Sequence, residues 1–263
     1  MNPKADGHPL MKPHRLALLL VAALALLATG CFNPFDPRIS VLHVASAPAP
    51  VPNSPDNAVR LFAWCWAHRD PAQYAEVFTD DYRFIFAPND SAGNAYRDRP
   101  WLREDEMQLA QHLFVGGSDQ PPASDIEIII DNSLLASPDP RVGFENFRLF
   151  KTIRTNVSLK VTVDRNGAPD VSVITGTALF YLVRGDTAAI PQELKLKGFA
   201  KDSLRWWISR WEDETAGAVS GSPASLRPGL PLVGVRPAAT YRSFDRTLSW
   251  GQLKSWYLPN ATY

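Results

Sequence analysis

The sequence predicts an α+β fold, with three N-terminal helices packed on one face of a curved, mainly antiparallel sheet. Three observations point to it. Apolar segments with helical period cluster between Ser54 and Phe114. Long segments alternating apolar and polar follow between Ile126 and Glu212. The two kinds do not interleave, which argues against βαβ units and leaves helices covering one side of a sheet.

Each element has a local cause. Ser54 caps the first helix, Pro55 suits its first position, and Asp56 puts negative charge at the positive end of the helix dipole. Ala58, Val59, Leu61, Phe62, Ala63, Trp64, Cys65 and Trp66 make this helix apolar around most of its circumference, so it is buried on more than one side. Asp70, Pro71 and Gln73 open a second helix with cap, first residue and capping-box residue in place, ending near Thr79–Asp81. Tyr82–Phe86 alternates as a strand. A loop through Asp90–Asn94 leads to a third helix from Pro100 to Phe114. It presents Leu102, Leu109 and Leu113 on one face and stops at Gly116-Gly117.

Beyond Pro121-Pro122 the period changes to two. Ile126, Ile128 and Ile130 mark one strand, and Val157, Leu159, Val161 and Val163 a second with polar residues between them. Asp164-Arg165-Asn166-Gly167 makes a tight turn. A long strand returns over Val171–Val183, and Leu204–Glu212 supplies the last, with Trp207 and Trp211 on one face and Trp206 and Ile208 on the other. Residues 178–183 are apolar on both faces, so the face away from the helices needs a second cover. That cover is the C-terminal tail, a partner or a second copy of the domain, and the preferred expectation is the tail, through Trp250, Leu253 and Trp256 on a short helix capped by Ser249.

The chain ends read differently. Lys12 and Arg15, the apolar run Leu16–Ala28 and the sequence Ala28-Thr29-Gly30-Cys31 have the grammar of a bacterial lipoprotein signal. The run is 13 residues long, short of the roughly 20 that span a bilayer core. Residues 1–30 are read as the signal peptide, with Met11 a second candidate start. Cys31 is the expected lipid attachment residue, its palmitate-type acyl chains anchoring the chain without a transmembrane helix. An ordinary secretory signal cut near Ala28 is the alternative. Phe32 rather than aspartate follows the cysteine, which by resemblance to enterobacterial sorting rules favours the periplasmic face of the outer membrane. Residues 31–53 form a Pro/Ala-rich spacer, 54–215 the folded domain, and 216–263 a Pro/Gly/Ser-rich tail ending in the short helix.

Basic and acidic side chains balance at 27 each, and removal of residues 1–30 leaves a small acidic excess. No basic stripe exists to displace phosphate counterions, so nucleic acid is not an expected partner. With Cys31 acylated, Cys65 has no disulfide partner. Among Phe62, Trp64 and Trp66 it reads as a buried, inert thiol.

Two stretches carry a family resemblance. LFAWCWAHRDPAQYAEVFTDDYRF (61–84) and LRWWISRWEDE (204–214) resemble the nuclear-transport-factor-two-like superfamily, in its polyketide-cyclase-like and ketosteroid-isomerase-like branch. The likeness covers about residues 54–215. The Pro-rich spacer and the tail Trp-Gly-x-Leu-Lys are also similar to a set of bacterial lipoproteins. The resemblance implies a cystatin-like cone whose sheet and helices enclose a pocket. It implies no reaction, because this superfold hosts enzymes, binding proteins and assembly parts.

An isomerase of that kind needs a carboxylate base and acidic hydrogen-bond donors in an apolar cavity. Asp81, Tyr82, His112, Tyr181 and Glu212 are of suitable type, but none matches a family motif, and no catalytic residue is assigned. Tyr82, His112, Tyr181, Trp207 and Trp211 are the candidate pocket residues. Cys65 and His68, one helical turn apart, could form an activated thiol, though the neighbouring tryptophans favour core packing. No metal site is expected: His43, His68 and His112 are far apart, and Asp164–Gly167 lacks the distal glutamate of a calcium loop. No cofactor is expected either, as the phosphate-loop, dinucleotide and nucleophile-elbow motifs are missing from the sequence. The sequence is thus read as a lipid-anchored envelope module, non-catalytic, binding a small apolar ligand or an envelope protein, with homodimerisation a further arrangement. The alternative is a ketosteroid-isomerase-like or cyclase-like enzyme with a carboxylate or histidine in its cavity. A titratable group deep in the cone and open to solvent would favour the enzyme; a cavity filled by side chains would favour the module.

Overall fold

The computed structural model describes residues 48–96, 99–215 and 245–258; the leader, Cys31 and most of the spacer lie outside them. Helix α1 spans Pro55–His68 and starts where Ser54 Oγ accepts the Asn57 N–H at 3.3 Å. Helix α2 covers only Pro71–Ala75, capped by Asp70 Oδ1 accepting the Gln73 N–H at 2.9 Å. Strand β1, Phe78–Ile85, therefore begins four residues before the expected Tyr82. Trp101–Leu102 is not the start of a helix but a short strand, β2, paired with Phe84 and Arg83. Helix α3 follows as Arg103–Phe114. The Asp105 carboxylate accepts the Leu102 N–H at 2.9 Å and supplies the cap that Pro100 cannot.

The remaining strands are β3 (Ala123–Ile130), β4 (Ala136–Pro138), β5 (Phe150–Arg165), β6 (Ala168–Arg184), β7 (Trp206–Thr215) and β8 (Asp245–Thr247). A short helix α4, Gln192–Leu196, lies in the β6–β7 connection, and α5 is Trp250–Tyr257. The sheet order is β2-β1-β7-β6-β5-β3, with β4 also on β5 and β8 also on β6. Pairing is antiparallel except for β1 with β7 and β8 with β6. The β5–β6 hairpin closes through Asn166 and Gly167, both with positive φ (56° and 80°), the two-residue turn that matches strand twist. Gly176 has φ 150°, and a Cβ there would lie 2.6 Å from the Thr215 backbone, so only glycine lets the end of β7 approach β6 so closely.

A bulge decides which way β7 faces. Tyr181 pairs with Arg210 but Leu182 pairs with Ile208, so Ser209 is an extra residue. The expected grouping of Trp207 with Trp211 is thereby broken. Trp206, Ile208 and Trp211 belong to the main core under the helices, while Trp207 joins Val183, Ala188, Ile190 and Leu194 in a second, smaller core. That second core covers the outer face where the tail was expected. The tail helix α5 goes inside instead, where Trp250, Leu253 and Tyr257 are buried and Trp256 is half-buried. The connection after β6 follows Arg184 directly and supplies that cover.

Candidate functional site

One carboxylate gathers polar groups from four other elements in the middle of the cone. Glu106, in the first turn of α3, is fully buried. Its Oε1 accepts from Tyr74 Oη of α2 at 2.7 Å and from Lys254 Nζ of α5 at 2.6 Å. Its Oε2 accepts from Trp101 Nε1 of β2 at 2.8 Å, from Lys254 Nζ at 2.5 Å, and from Tyr82 Oη of β1 at 3.5 Å. Lys254 is also fully buried, and its ammonium lies over the rings of Phe84 (4.3 Å), Trp211 (4.4 Å) and Trp101 (5.4 Å). A desolvated ammonium is attracted to such faces as well as to the carboxylate. Burial pushes the Lys254 ammonium below its ordinary pKa, and Glu106 pulls it back up. The Tyr74 and Tyr82 hydroxyls are raised first by burial and then by the neighbouring Glu106 charge, so they remain protonated donors.

Aromatic side chains fill the space around this pair. The Trp250 ring lies edge-on to Trp211 at 4.7 Å and to Trp66 at 5.0 Å, with Phe62 at 6.5 Å. The start of α5 is held by a carboxylate. Ser249 Oγ caps Gln252 N–H at 2.9 Å and donates to Asp90. The buried Asp213 accepts from Thr215 N and Oγ1 at 2.8 and 2.5 Å. A Cβ at Gly251 would collide with the Asp90 carboxylate, so glycine sets how closely α5 approaches the loop.

Two depressions lie outside the cone. One, about 240 Å³, is lined by Asp81, Arg83, Arg141, Phe144, Ser209 and Arg210 on the outer face of the sheet. Asp139 grips Arg141 through both carboxylate oxygens (2.6–3.2 Å), and the guanidinium stacks 4.2 Å from both Phe144 and Tyr181. Arg210 is paired with Glu212 at 2.7 Å. The other, about 560 Å³, lies beside the β6–β7 connection between Asp80, Ile190, Lys195 and Phe199.

The candidate pocket residues are thus divided. Tyr82 and Trp211 meet at the Glu106–Lys254 pair. His112 stands at the seam between α3 and α5, its Nδ1 2.8 Å from the Tyr257 carbonyl oxygen. Tyr181 and Trp207 face outward, separated from the interior by the sheet, and no common pocket joins the five residues. Asp81 and Glu212 face outward with them, Asp81 lining the arginine groove and Glu212 pairing with Arg210. Cys65 is buried, and burial raises its thiol pKa, so it is not the activated thiol considered with His68. Among the described residues no group of three potential metal ligands converges, and no helix is long and apolar enough to cross a membrane.

Sequence reasoning did not single out Glu106 or Lys254, yet a signal was present. Glu106, Leu109, Ala110 and Leu113 follow helical spacing, as do Trp250, Leu253, Lys254 and Tyr257. A charge standing in each apolar stripe marks a buried, partnered group.

No family model matches the chain, and no curated protein matches it. The solved structures that resemble it are nuclear-transport-factor-2-like proteins. A scytalone-dehydratase-like protein of Novosphingobium aromaticivorans is 12% identical, with 61% of this chain and 80% of that one covered, at a TM-score of 0.40. A ketosteroid-isomerase-like protein of Erwinia carotovora atroseptica is 12% identical, with 60% and 89% covered, at 0.35. A superfamily member from Salmonella enterica is 12% identical, with 64% and 91% covered, at 0.36. At these identities and TM-scores no activity is transferred to this chain.

Proposed function

We propose that this protein is a lipid-anchored module of the cell envelope that acts by binding a partner rather than by transforming a substrate. The observation behind this reading is the interior of the cone, where α5 fills the space with Trp250, Leu253 and Tyr257 and neutralises the one central carboxylate with Lys254. A carboxylate already bound to an ammonium and two close donors is neither a free base nor open to substrate. The aromatic packing around this pair favours the protein-partner form of the reading. The outer groove, with Arg141 locked by Asp139 and stacked on two rings, offers a polar surface for a partner. Tethering at Cys31 through residues 31–53 would hold that surface away from the bilayer.

The test is metabolic labelling with an alkynyl palmitate, combined with a photo-crosslinking residue at Phe144. Label incorporation that disappears in Cys31→Ser, together with a discrete crosslinked adduct at position 144, is the expected result. An unlabelled chain in the soluble fraction would sink the anchor, and a chain that never forms an adduct would sink the partner surface. One observation supports a second reading: Glu106 faces two tyrosine hydroxyls in an apolar shell, the residue types that enolate chemistry needs. In that reading α5 must leave before any substrate enters.

A further inference from the structure

The spacer joins the domain at one end of the sheet. The Trp206 N–H, first in β7, donates to the Pro52 carbonyl oxygen at 2.7 Å. Trp206 also pairs with Arg184, the last residue of β6. Lys151, second in β5, places its ammonium 4.3 Å over the Phe147 ring and 5.3 Å over Trp206. The spacer therefore arrives where β5 starts, β6 ends and β7 starts, and Val51 is only 20 residues from Cys31 along the chain.

Large apolar side chains stand exposed around this point: Val51 and Leu204 at 68% each and Phe147 at 44%. The β6–β7 connection exposes Leu196 as well, at 81%. That connection is also basic. From Lys195 to Arg205 there are four cationic side chains, Lys195, Lys197, Lys201 and Arg205, against one carboxylate, Asp202. The three lysines are exposed, and the acidic groups nearby in sequence are engaged: Glu193 with Arg103, Asp186 with Arg184, and Asp202 with the Leu204 N–H. Lys195 and Lys201 also line the depression of about 560 Å³, where Asp80 is the one carboxylate. Apolar side chains among lysines suit a surface with an anionic skin over hydrocarbon. Each Lys or Arg close to an anionic membrane is worth about fivefold in partitioning, and exposed apolar side chains reach into the headgroup region. A short tether keeps the rim at high effective concentration near the lipid, so weak contacts suffice.

We propose that this rim docks on an anionic phospholipid surface, with Lys195, Lys197 and Lys201 at the headgroup phosphates and Phe147 and Leu204 among the headgroups. The proposal rests on the anchored-module reading and deepens it, because it says which end of the domain faces the bilayer. Two observations choose lipid over a protein for this rim: the spacer leaves from it, and its exposed charge is of the sign that anionic lipid attracts. Tyr181 of the arginine groove lies three residues before Arg184, about 10 Å along β6, so the groove stays clear of the membrane for a partner.

The experiment uses the mature full-length chain with Cys31→Ser, so that no acyl chain contributes, and an environment-sensitive fluorophore on Leu204→Cys. Ile129→Cys carries the same fluorophore as control. Ile129 is also 68% exposed, but it pairs with Ser158, seven residues beyond Lys151 in β5 and about 23 Å along the strand. Vesicles of equal parts phosphatidylethanolamine and phosphatidylglycerol should shift the emission at 204 to the blue and leave 129 unchanged, and vesicles of phosphatidylcholine should shift neither. In a second arm, Lys195→Gln/Lys197→Gln/Lys201→Gln in the unlabelled chain should weaken sedimentation with the anionic vesicles about a hundredfold, at an unchanged melting temperature. No shift at 204, equal shifts at 204 and 129, an equal response to phosphatidylcholine, or a triple variant that sediments like its parent overturns the proposal. Neither arm depends on palmitate labelling or on crosslinking at Phe144. A chain labelled at Cys31 whose unacylated form ignores the vesicles would remove the docking rim and leave the anchor standing.

Discussion

Glu106 and Lys254 hold formal charges at positions where helical spacing calls for apolar side chains, and their environment explains why they are tolerated. The carboxylate has close donors from Tyr74, Trp101 and Lys254, and the ammonium has three aromatic faces around it. Removing one partner leaves the other charged and buried. Glu106→Gln is therefore expected to cost about 3–5 kcal/mol in urea unfolding, and Lys254→Met an amount of the same order. The double variant should lose less than the two singles together, with a coupling of about 0.5–3 kcal/mol. Strict additivity would mean that the two side chains do not interact. At this scale the caps were legible, because Ser54 and Asp70 act on amides three residues away. The Glu106–Lys254 pair was not, because 148 residues separate the partners.

Strand β7 carries the carboxylate through which pH acts on stability. Burial raises the Asp213 carboxyl to about 6, well above the ordinary carboxylate range, with the Thr215 hydrogen bonds opposing and the Asp90 charge adding to the rise. The native chain thus binds this proton more tightly than the unfolded chain does. The contribution is fully present below pH 4, declines as pH rises through about 6, and is gone above. Between pH 7 and 5 thermal stability should therefore gain from this group, and Asp213→Asn should flatten that part of the profile. A pH dependence identical in wild type and Asp213→Asn would assign the change to another group. The element boundaries were legible where turn chemistry marks them, as at Asn166-Gly167. The Ser209 bulge was not, since alternation alone cannot show that one residue has been skipped, and the faces of Trp207 and Trp211 were misread for that reason.

For the whole molecule, two cores on opposite faces of one sheet must form together. Helix α1 runs through the larger core with Val59, Phe62, Cys65 and Trp66 all buried. Cys65 therefore reports on global opening. In a Cys31→Ser background its reaction with a thiol reagent should be slow and should follow the urea unfolding curve. Rapid labelling in the absence of denaturant would show that the core opens locally, through release of α5 or otherwise.

Local chemistry by itself determined the α+β class, the helix caps, the hairpin turn and the grammar of the leader, since each of these depends on residues close together in the chain. Only the tertiary structure decided that the tail enters the cone while the β6–β7 connection covers the outer face. It alone also brought Lys254 to Glu106. The physical reason is competition. Both segments are apolar enough to cover either face, and the choice follows from which surface is already occupied and where a buried charge needs its counter-charge.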